Sequence, residues 1–272
     1  MTILDTIVEQ KKLEVARLPA GEVTAAELEE VMSRRGPRRD FLAALRQPKI
    51  GPIALIAEVK KASPSAGVIC PNFDPVNIAR DYEATGASCL SVLTDVQFFQ
   101  GSLYYLKHIR EAVKLPLLRK DFIIDERQIL EAAHWGADAI LLIVAILSDA
   151  QLHHFSRLAR GAGLTVLVEV HDEAELDRAL ASGADLVGVN NRNLKTFEVD
   201  LRTTERLAKR MDAAQLQTRP LLVAESGIHK SSDVTRLAAC GAQAILVGES
   251  LVKHADIAAK VRELMGTSNG HS

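Results

Sequence analysis

Aromatic side chains are scarce in this chain of 272 residues: 7 Phe, 3 Tyr and 1 Trp, 4% in all. An aromatic beside charge therefore carries information. Cysteine is scarcer. Cys70, Cys89 and Cys240 lie far apart and form no CxxC pair, which argues against a disulfide framework and a zinc site and fits a reducing cytosol. Long apolar runs are missing: the longest, 139–147, has nine residues, too few to span a bilayer. Neither sign of charge dominates. Lys and Arg number 33 against 35 Asp and Glu, a net charge of −2, with no basic excess for nucleic acid. A glycine-rich dinucleotide fingerprint is missing too. Gly161-Ala162-Gly163 precedes a strand pattern and lacks the third glycine, so it reads as a helix stop. No HExxH occurs, and His153 and His154 diverge on a helix, so no metal is expected. The first residues carry Asp5 and Glu9 inside their apolar pattern, unlike a signal or transit peptide. What remains, 47% hydrophobic and 25% charged, is ordinary soluble composition. The expected setting is the cytoplasm, with no membrane or nucleic-acid partner, as a monomer or weak homodimer.

From residue 53 onward one unit repeats. An apolar strand is followed by a polar or charged turn, then an amphipathic helix, then a Gly-Ala turn. The pattern predicts strands at 53–59, 88–93, 116–119, 139–144, 164–169, 186–190, 221–225 and 244–247. It predicts helices near 75–84, 102–113, 126–135, 148–160, 172–181, 200–213, 231–239 and 255–265. The return turns Gly86-Ala87, Gly136-Ala137, Gly183-Ala184 and Gly241-Ala242 sit where helix-ending glycines belong. Eight strands alternating with eight helices imply right-handed βαβ crossovers closing into a (β/α)8 TIM barrel. Before it, residues 1–50 hold no convincing strand. Residues 2–18 have helical apolar spacing, Thr24 and Glu27 form a capping-box pattern, and Asp40 can cap a third helix. This N-terminal helical extension is expected to pack on a single barrel domain and cover its mouth. Residues 267–272 read as a disordered tail.

Such barrels place their chemistry at the C-terminal ends of the strands. Several of those ends are charged. Side chains alternate along a strand, so Ile56, Glu58 and Lys60 share one face of the first. Leu118 and Lys120 share one face of the third. The fifth strand ends in Glu169, the sixth in Asn190 followed by Arg192, and the seventh in Glu225. Burying such a set is expensive unless it pairs or has a task. Two lysines, three glutamates and an asparagine at one mouth suit acid–base chemistry. Phosphate is the second ingredient. Ser226-Gly227 follows the seventh strand and Gly248-Glu249 the eighth, where barrels often hold phosphate, and Ser63, Ser65 and Gly67 of the first loop can close over the same anion. These glycines also fit plain turns; their paired placement favours phosphate. The third ingredient is apolar. Phe98 and Phe99 follow the second strand, Phe122 follows Lys120, and Leu141 and Ile143 lie in the fourth strand, a setting for a flat aromatic substrate or a cap on the barrel core.

Taken in order, these stretches resemble one enzyme family. Glu58-x-Lys60-x-x-Ser63-Pro64-Ser65, Ser91 to Asp95 with Phe99-x-Gly101-Ser102, Leu118-x-Lys120-x-Phe122, Leu167-x-Glu169-x-His171, Asn190-x-Arg192-x-Leu194 and Glu225-Ser226-Gly227-Ile228 are similar to the indole-3-glycerol phosphate synthases of tryptophan biosynthesis. The similarity runs from the N-terminal helices to the last barrel helix. It implies an anthranilate-derived ribulose phosphate as substrate, 1-(2-carboxyphenylamino)-1-deoxyribulose 5-phosphate. The implied products are indole-3-glycerol phosphate, carbon dioxide and water, with no cofactor or metal. By similarity Lys120 is the general acid of ring closure and Glu169 the base. Lys60 holds the substrate carboxylate, and which lysine serves the dehydration stays open. Glu58 and Asn190 orient the lysine and the sugar hydroxyls, while Arg192 and Glu225 are supporting or binding residues. Ser63, Gly227, Gly248 and the backbone at Glu249 hold phosphate. Many family members carry Ser where Glu249 stands, so its carboxylate must point away from the dianion. Three rivals stand beside this reading: a Schiff-base aldolase-like barrel, a neighbouring isomerase of the same pathway, and a non-catalytic phosphate-binding barrel.

Overall fold

The structure is a computed structural model, and it describes residues 2–254 and 256–267. Eight parallel strands close on themselves. They are β1 (Ala54–Val59), β2 (Cys89–Leu93), β3 (Leu117–Lys120), β4 (Ala139–Ile143), β5 (Thr165–Val170), β6 (Leu186–Asn190), β7 (Leu221–Glu225) and β8 (Ala244–Val247). Each pairs with its neighbours in chain order, and β1 meets β8, with Ala54 opposite Ala244. Both faces of every strand are buried, inside against the barrel core and outside against helices. That explains why the strands read as nearly continuous apolar runs. Inward positions such as Ile56, Leu118, Leu141, Leu167 and Val223 form one core; outward ones such as Leu55, Val92, Ile140, Val168 and Ile245 form the other.

The covering helices are α4 (Pro75–Ala84), α5 (Leu103–Ala112), α6 (Glu126–His134), α7 (Asp149–Gly161), α8 (Glu173–Ala181), α9 (Arg202–Ala213) and α10 (Ser231–Ala239). From α4 to α8 each opens on an Asp or Ser whose side chain accepts a first-turn N–H. Two features depart from the pattern read in the sequence. The expected helix at 255–265 is α12 (Ile257–Leu264), and a short α11 (Glu249–Val252) that the pattern does not predict precedes it. The first loop is not an open turn: Ala62–Ser63 and Gly67–Val68 pair as a small antiparallel hairpin. Of the segment 267–272, all but Thr267 lies outside the described residues.

The extension contributes α1 (Ile3–Val15), α2 (Ala25–Arg34) and α3 (Phe41–Arg46). Its helices reach both ends of the barrel. At the C-terminal end, Ile3, Leu4 and Ile7 of α1 border the mouth. There Lys11 is buried, 2.9 Å from Asp95 after β2 and 2.9 Å from Asp121 after β3. At the N-terminal end Phe41 and Leu45 of α3 are fully buried against Ala54, Cys89, Ala139, Leu186 and Ala244, so α3 plugs the base. Between them α2 packs on α6. Arg35 (3.1 Å) and Arg110 (2.9 Å) converge on buried Asp138, tying the α2–α3 linker to the start of β4.

Candidate active site

Interior positions recur at every second residue of a strand. In β1 they run Ala54, Ile56, Glu58. In β3 they are Leu118 and Lys120, in β5 Leu167 and Glu169, in β7 Leu221, Val223 and Glu225. These four strands turn charged at their last interior position. The site is thus the top layer of the barrel core, rebuilt from ionisable groups.

Lys120 Nζ lies 2.7 Å from Glu169 Oε2 and 3.2 Å from Glu225 Oε2. Asn190 Nδ2 donates to the other Glu169 oxygen at 3.2 Å. Burial opposes the lysine's charge, but Glu169 and then Glu225 outweigh it and hold its pKa above the ordinary lysine range. Burial also pushes the Glu169 carboxyl up; Lys120 and His171 more than reverse this and hold it well below the usual carboxylate range. Glu225 fares differently. Burial raises it, Lys120 draws it down, the charge of Glu169 raises it again, and it ends at about 7. One of its oxygens, Oε1, is buried without a hydrogen-bond partner among the described residues.

The second lysine belongs to a separate pair. Lys60 Nζ is 2.8 Å from Glu58 Oε1, and Ser91 Oγ donates to Glu58 Oε2 at 3.5 Å. Gly248 makes room for this pair: a Cβ there would sit 2.5 Å from Glu58 Oε1.

Above these groups opens a cavity of about 1200 Å³, counting its mouth. Phe99, Phe122, Leu141 and Ile143 line the side built by β2 to β4, with the two rings 6.0 Å apart. Ser63, Ser226, Gly227, Gly248 and Glu249 line the side built by β7, β8 and β1, and Arg192 borders it from the β6 loop. Ser226 and Gly227 are consecutive left-handed residues, with φ of 67° and 77°. Gly227 is required twice over, because a Cβ would also meet Val199 Cγ1 at 2.2 Å. Asn191 Nδ2 ties back the carbonyls of Glu225 (3.0 Å) and Ser226 (3.3 Å), and Ser250 Oγ that of Ile228 (2.9 Å). With these carbonyls held behind the turn, its remaining polarity suits an anion. The Glu249 carboxylate turns to Lys253 at 2.6 Å, along its own helix.

Of the acids and bases selected from the sequence, Glu58, Lys60, Lys120, Asn190 and Glu225 border the cavity. Glu169 does not; it lies behind Lys120 and Asn190, which do. Phe99 lines the space and Phe98 stays off it, as does Gly67, exposed at the turn of the hairpin. The sequence reading left out Ile3, Leu4 and Ile7 of α1, and Leu194 and Phe197 of the β6 loop, all of which line the mouth. The amphipathic pattern of residues 2–18 announced a buried face on α1 but not what covers it. His171, which ends the stretch Leu167-x-Glu169-x-His171, also belongs to the site. It follows β5, with Nδ1 2.9 Å from Glu175 Oε2 and Nε2 3.3 Å from Glu169 Oε1. Among the described residues no group of three or more His, Cys, Asp or Glu is arranged to hold a metal, and no helix is long and apolar enough to cross a membrane.

Among solved structures, that of 3-hexulose-6-phosphate synthase superposes with a TM-score of 0.61 at 16% identity, over 79% of this chain and 99% of that one. The tryptophan synthase A-subunit of Pyrococcus furiosus gives 0.59 at 15%, over 80% and 99%. At these identities they speak for the barrel alone. Sequence comparison goes further. The indole-3-glycerol phosphate synthase of Roseiflexus sp. (strain RS-1) is 52% identical over 273 residues, 98% of this chain and 99% of its own length. That of Microcystis aeruginosa is 51% identical over 263 residues, 96% and 88%. The family model for indole-3-glycerol phosphate synthase matches residues 4–264, nearly the whole barrel and its extension, and the chain belongs to that family.

Proposed function

We propose that this barrel mouth closes the indole ring of 1-(2-carboxyphenylamino)-1-deoxyribulose 5-phosphate through proton transfers by Lys120, Glu169 and Lys60. As a member of its family the chain is a decarboxylating lyase of tryptophan biosynthesis that acts on a small molecule. The reaction sets the demands. A ring carbon attacks the ribulose carbonyl, and the carbonyl oxygen must be protonated as charge develops on it. Carbon dioxide then departs and leaves its electron pair to the ring. Finally a hydroxyl leaves as water while a base removes a ring-side proton.

The observation that carries the assignment is Lys120 at the cavity floor, an ammonium held between Glu169 and Glu225. Such a lysine is protonated before substrate arrives and faces the space where a carbonyl oxygen would lie. It is therefore the acid of ring closure. Glu169, kept ionised behind it, is the base. Lys60, 2.8 Å from its own carboxylate, holds the substrate carboxylate and is a second proton donor available to the dehydration. Asn190 and Glu58 orient these groups. Phe99, Phe122, Leu141 and Ile143 take the aromatic ring. Ser63, Ser226, Gly227, Gly248 and the backbone of Glu249 take the phosphate, with Arg192 beside them. Every group used comes from one chain.

The test mixes the purified protein with the substrate in the presence of chelator and follows indole absorbance and fluorescence. Signal should appear without added metal. In Lys120→Met, which keeps the shape and removes the proton, turnover should fall by roughly two to four orders of magnitude while substrate binding largely persists. Near-normal turnover in that variant removes Lys120 from the role.

A further inference from the structure

His171 follows β5 directly, two residues on from Glu169, and is mostly buried, its side chain 12% exposed. Carboxylates flank both ring nitrogens. Nδ1 lies 2.9 Å from Glu175 Oε2, and the backbone N–H of His171 donates to that same oxygen at 2.8 Å. Nε2 lies 3.3 Å from Glu169 Oε1, close enough for charge pairing and off-line for a hydrogen bond. Carboxylate oxygens only accept, so a ring so placed is best served by a hydrogen on each nitrogen. Burial draws the imidazole down, and the carboxylates of Glu169 and Glu175 more than restore it, to about 10.

We propose that His171 is a positioning residue: as an imidazolium between Glu169 and Glu175, it keeps Glu169 ionised and aimed after Lys120 has surrendered its proton. This rests on Lys120 as acid and Glu169 as base. In the acid step an N–H bond of Lys120 breaks, an O–H bond forms on the substrate, and the lysine is left neutral. Glu169 then loses its nearest cation while Glu225 remains beside it. A buried carboxylate stripped of its counter-charge takes up a proton, and a protonated Glu169 cannot remove one from the ring. The two Glu169 oxygens have separate partners. Oε2 faces Lys120; Oε1 faces Asn190 and His171. His171 therefore stands outside the acid step and keeps its charge through it. The groups facing this pair are Lys120 from β3, Asn190 from β6 and Glu225 from β7 on the cavity side. Glu175 from α8 faces it on the outer side, and Glu58 with Lys60 lies across the barrel on β1.

The test is the pH profile of kcat and kcat/KM in His171→Asn and Glu175→Gln. One cation at this distance shifts a carboxylate by about one to three units. In His171→Asn the acid limb of kcat should move up by about one unit or more. Turnover near pH 6 should fall about tenfold and recover toward the unaltered protein by about pH 9. KM should stay within about twofold, because His171 does not border the cavity. Glu175→Gln should move the limb in the same direction by less. Glu169→Gln, run in parallel, tests the reading underneath. If it keeps turnover, Glu169 is not the base and the role of His171 falls with it. If it is inactive while the acid limb stays put in both other variants, His171 alone loses its role. A drop of equal size at every pH makes His171 a structural residue and overturns the proposal. Should His171→Asn not fold, the limb in Glu175→Gln decides in the same way.

Discussion

Glu225 and Glu169 share one ammonium and fare differently. Glu169 has Asn190 and His171 besides Lys120, whereas among the described residues Glu225 has only Lys120 and leaves an oxygen unpartnered. Glu225 therefore titrates from about 7, against an ordinary 4.5. A carboxyl raised on folding contributes stability that is complete below the unfolded pKa and is lost as pH rises through the folded one. The window is thus pH 4.5 to 7. Glu225→Gln cannot ionise and should escape that loss. In urea melts its stability relative to the unaltered protein should improve between about pH 5 and pH 8, by on the order of 3 kcal/mol at most. A difference that stays flat across this range would mean that Glu225 is already ionised at pH 5 in the fold. At this scale the sequence is readable where strand parity applies. Alternation put Glu58 with Lys60 and Leu118 with Lys120, and both pairs share an interior face. It sets His171 on the side of Glu169 but is silent on its part, which depends on an oxygen carried by α8.

Lys11 shows what a helix adds that its own pattern does not reveal. On α1 it reads as one more charge on an amphipathic helix, yet its side chain is only 3% exposed. Burial opposes its charge, and Asp121 and then Asp95 overcome this and raise its pKa. Asp121 in turn, pushed up by burial and brought down by Arg119 and Lys11, sits at about 2. Removing one partner of a buried pair leaves the other charge uncompensated, at a cost of about 3–5 kcal/mol. Lys11→Met should therefore destabilise by that order in denaturant melts. Because Ile3, Leu4 and Ile7 of the same helix border the cavity, KM should also rise several-fold. A variant with normal stability and normal KM would show that α1 is held by its apolar face alone. Element types were legible throughout, since apolar runs and glycine stops punctuate the chain at the right intervals. Three details were not. The hairpin at 62–68 depends on pairing across a loop, the four residues of α11 are too few to show a helical period, and a buried helical stripe does not say which end of a barrel it covers.

For the whole molecule the question is how one barrel keeps a costly charged layer and still holds together. The two ends divide the work. At the C-terminal end the interior positions are Glu58, Lys120, Glu169, Asn190 and Glu225, a layer that packs poorly by apolar standards and is expensive to bury. At the N-terminal end small interior residues, Ala54, Cys89, Ala139 and Ala244, leave a recess that α3 fills with Phe41 and Leu45. That end borders no cavity group, and its buried Asp138 is already met by Arg35 and Arg110, so it can be packed for stability alone. The division gives a prediction with two readouts. Phe41→Ala removes a fully buried ring and should cost about 3–5 kcal/mol, a fall in Tm on the order of 10 °C for a chain of this size. Well below that temperature, kcat and KM should stay within about twofold, because the lost ring lies at the opposite end of the strands from Lys120 and does not line the mouth. Thermal melts and steady-state kinetics on the same preparation check both halves. A rise in KM alongside the fall in Tm would mean that strain at the base travels along the strands to the charged layer, and the two ends would then have to be treated as one coupled core.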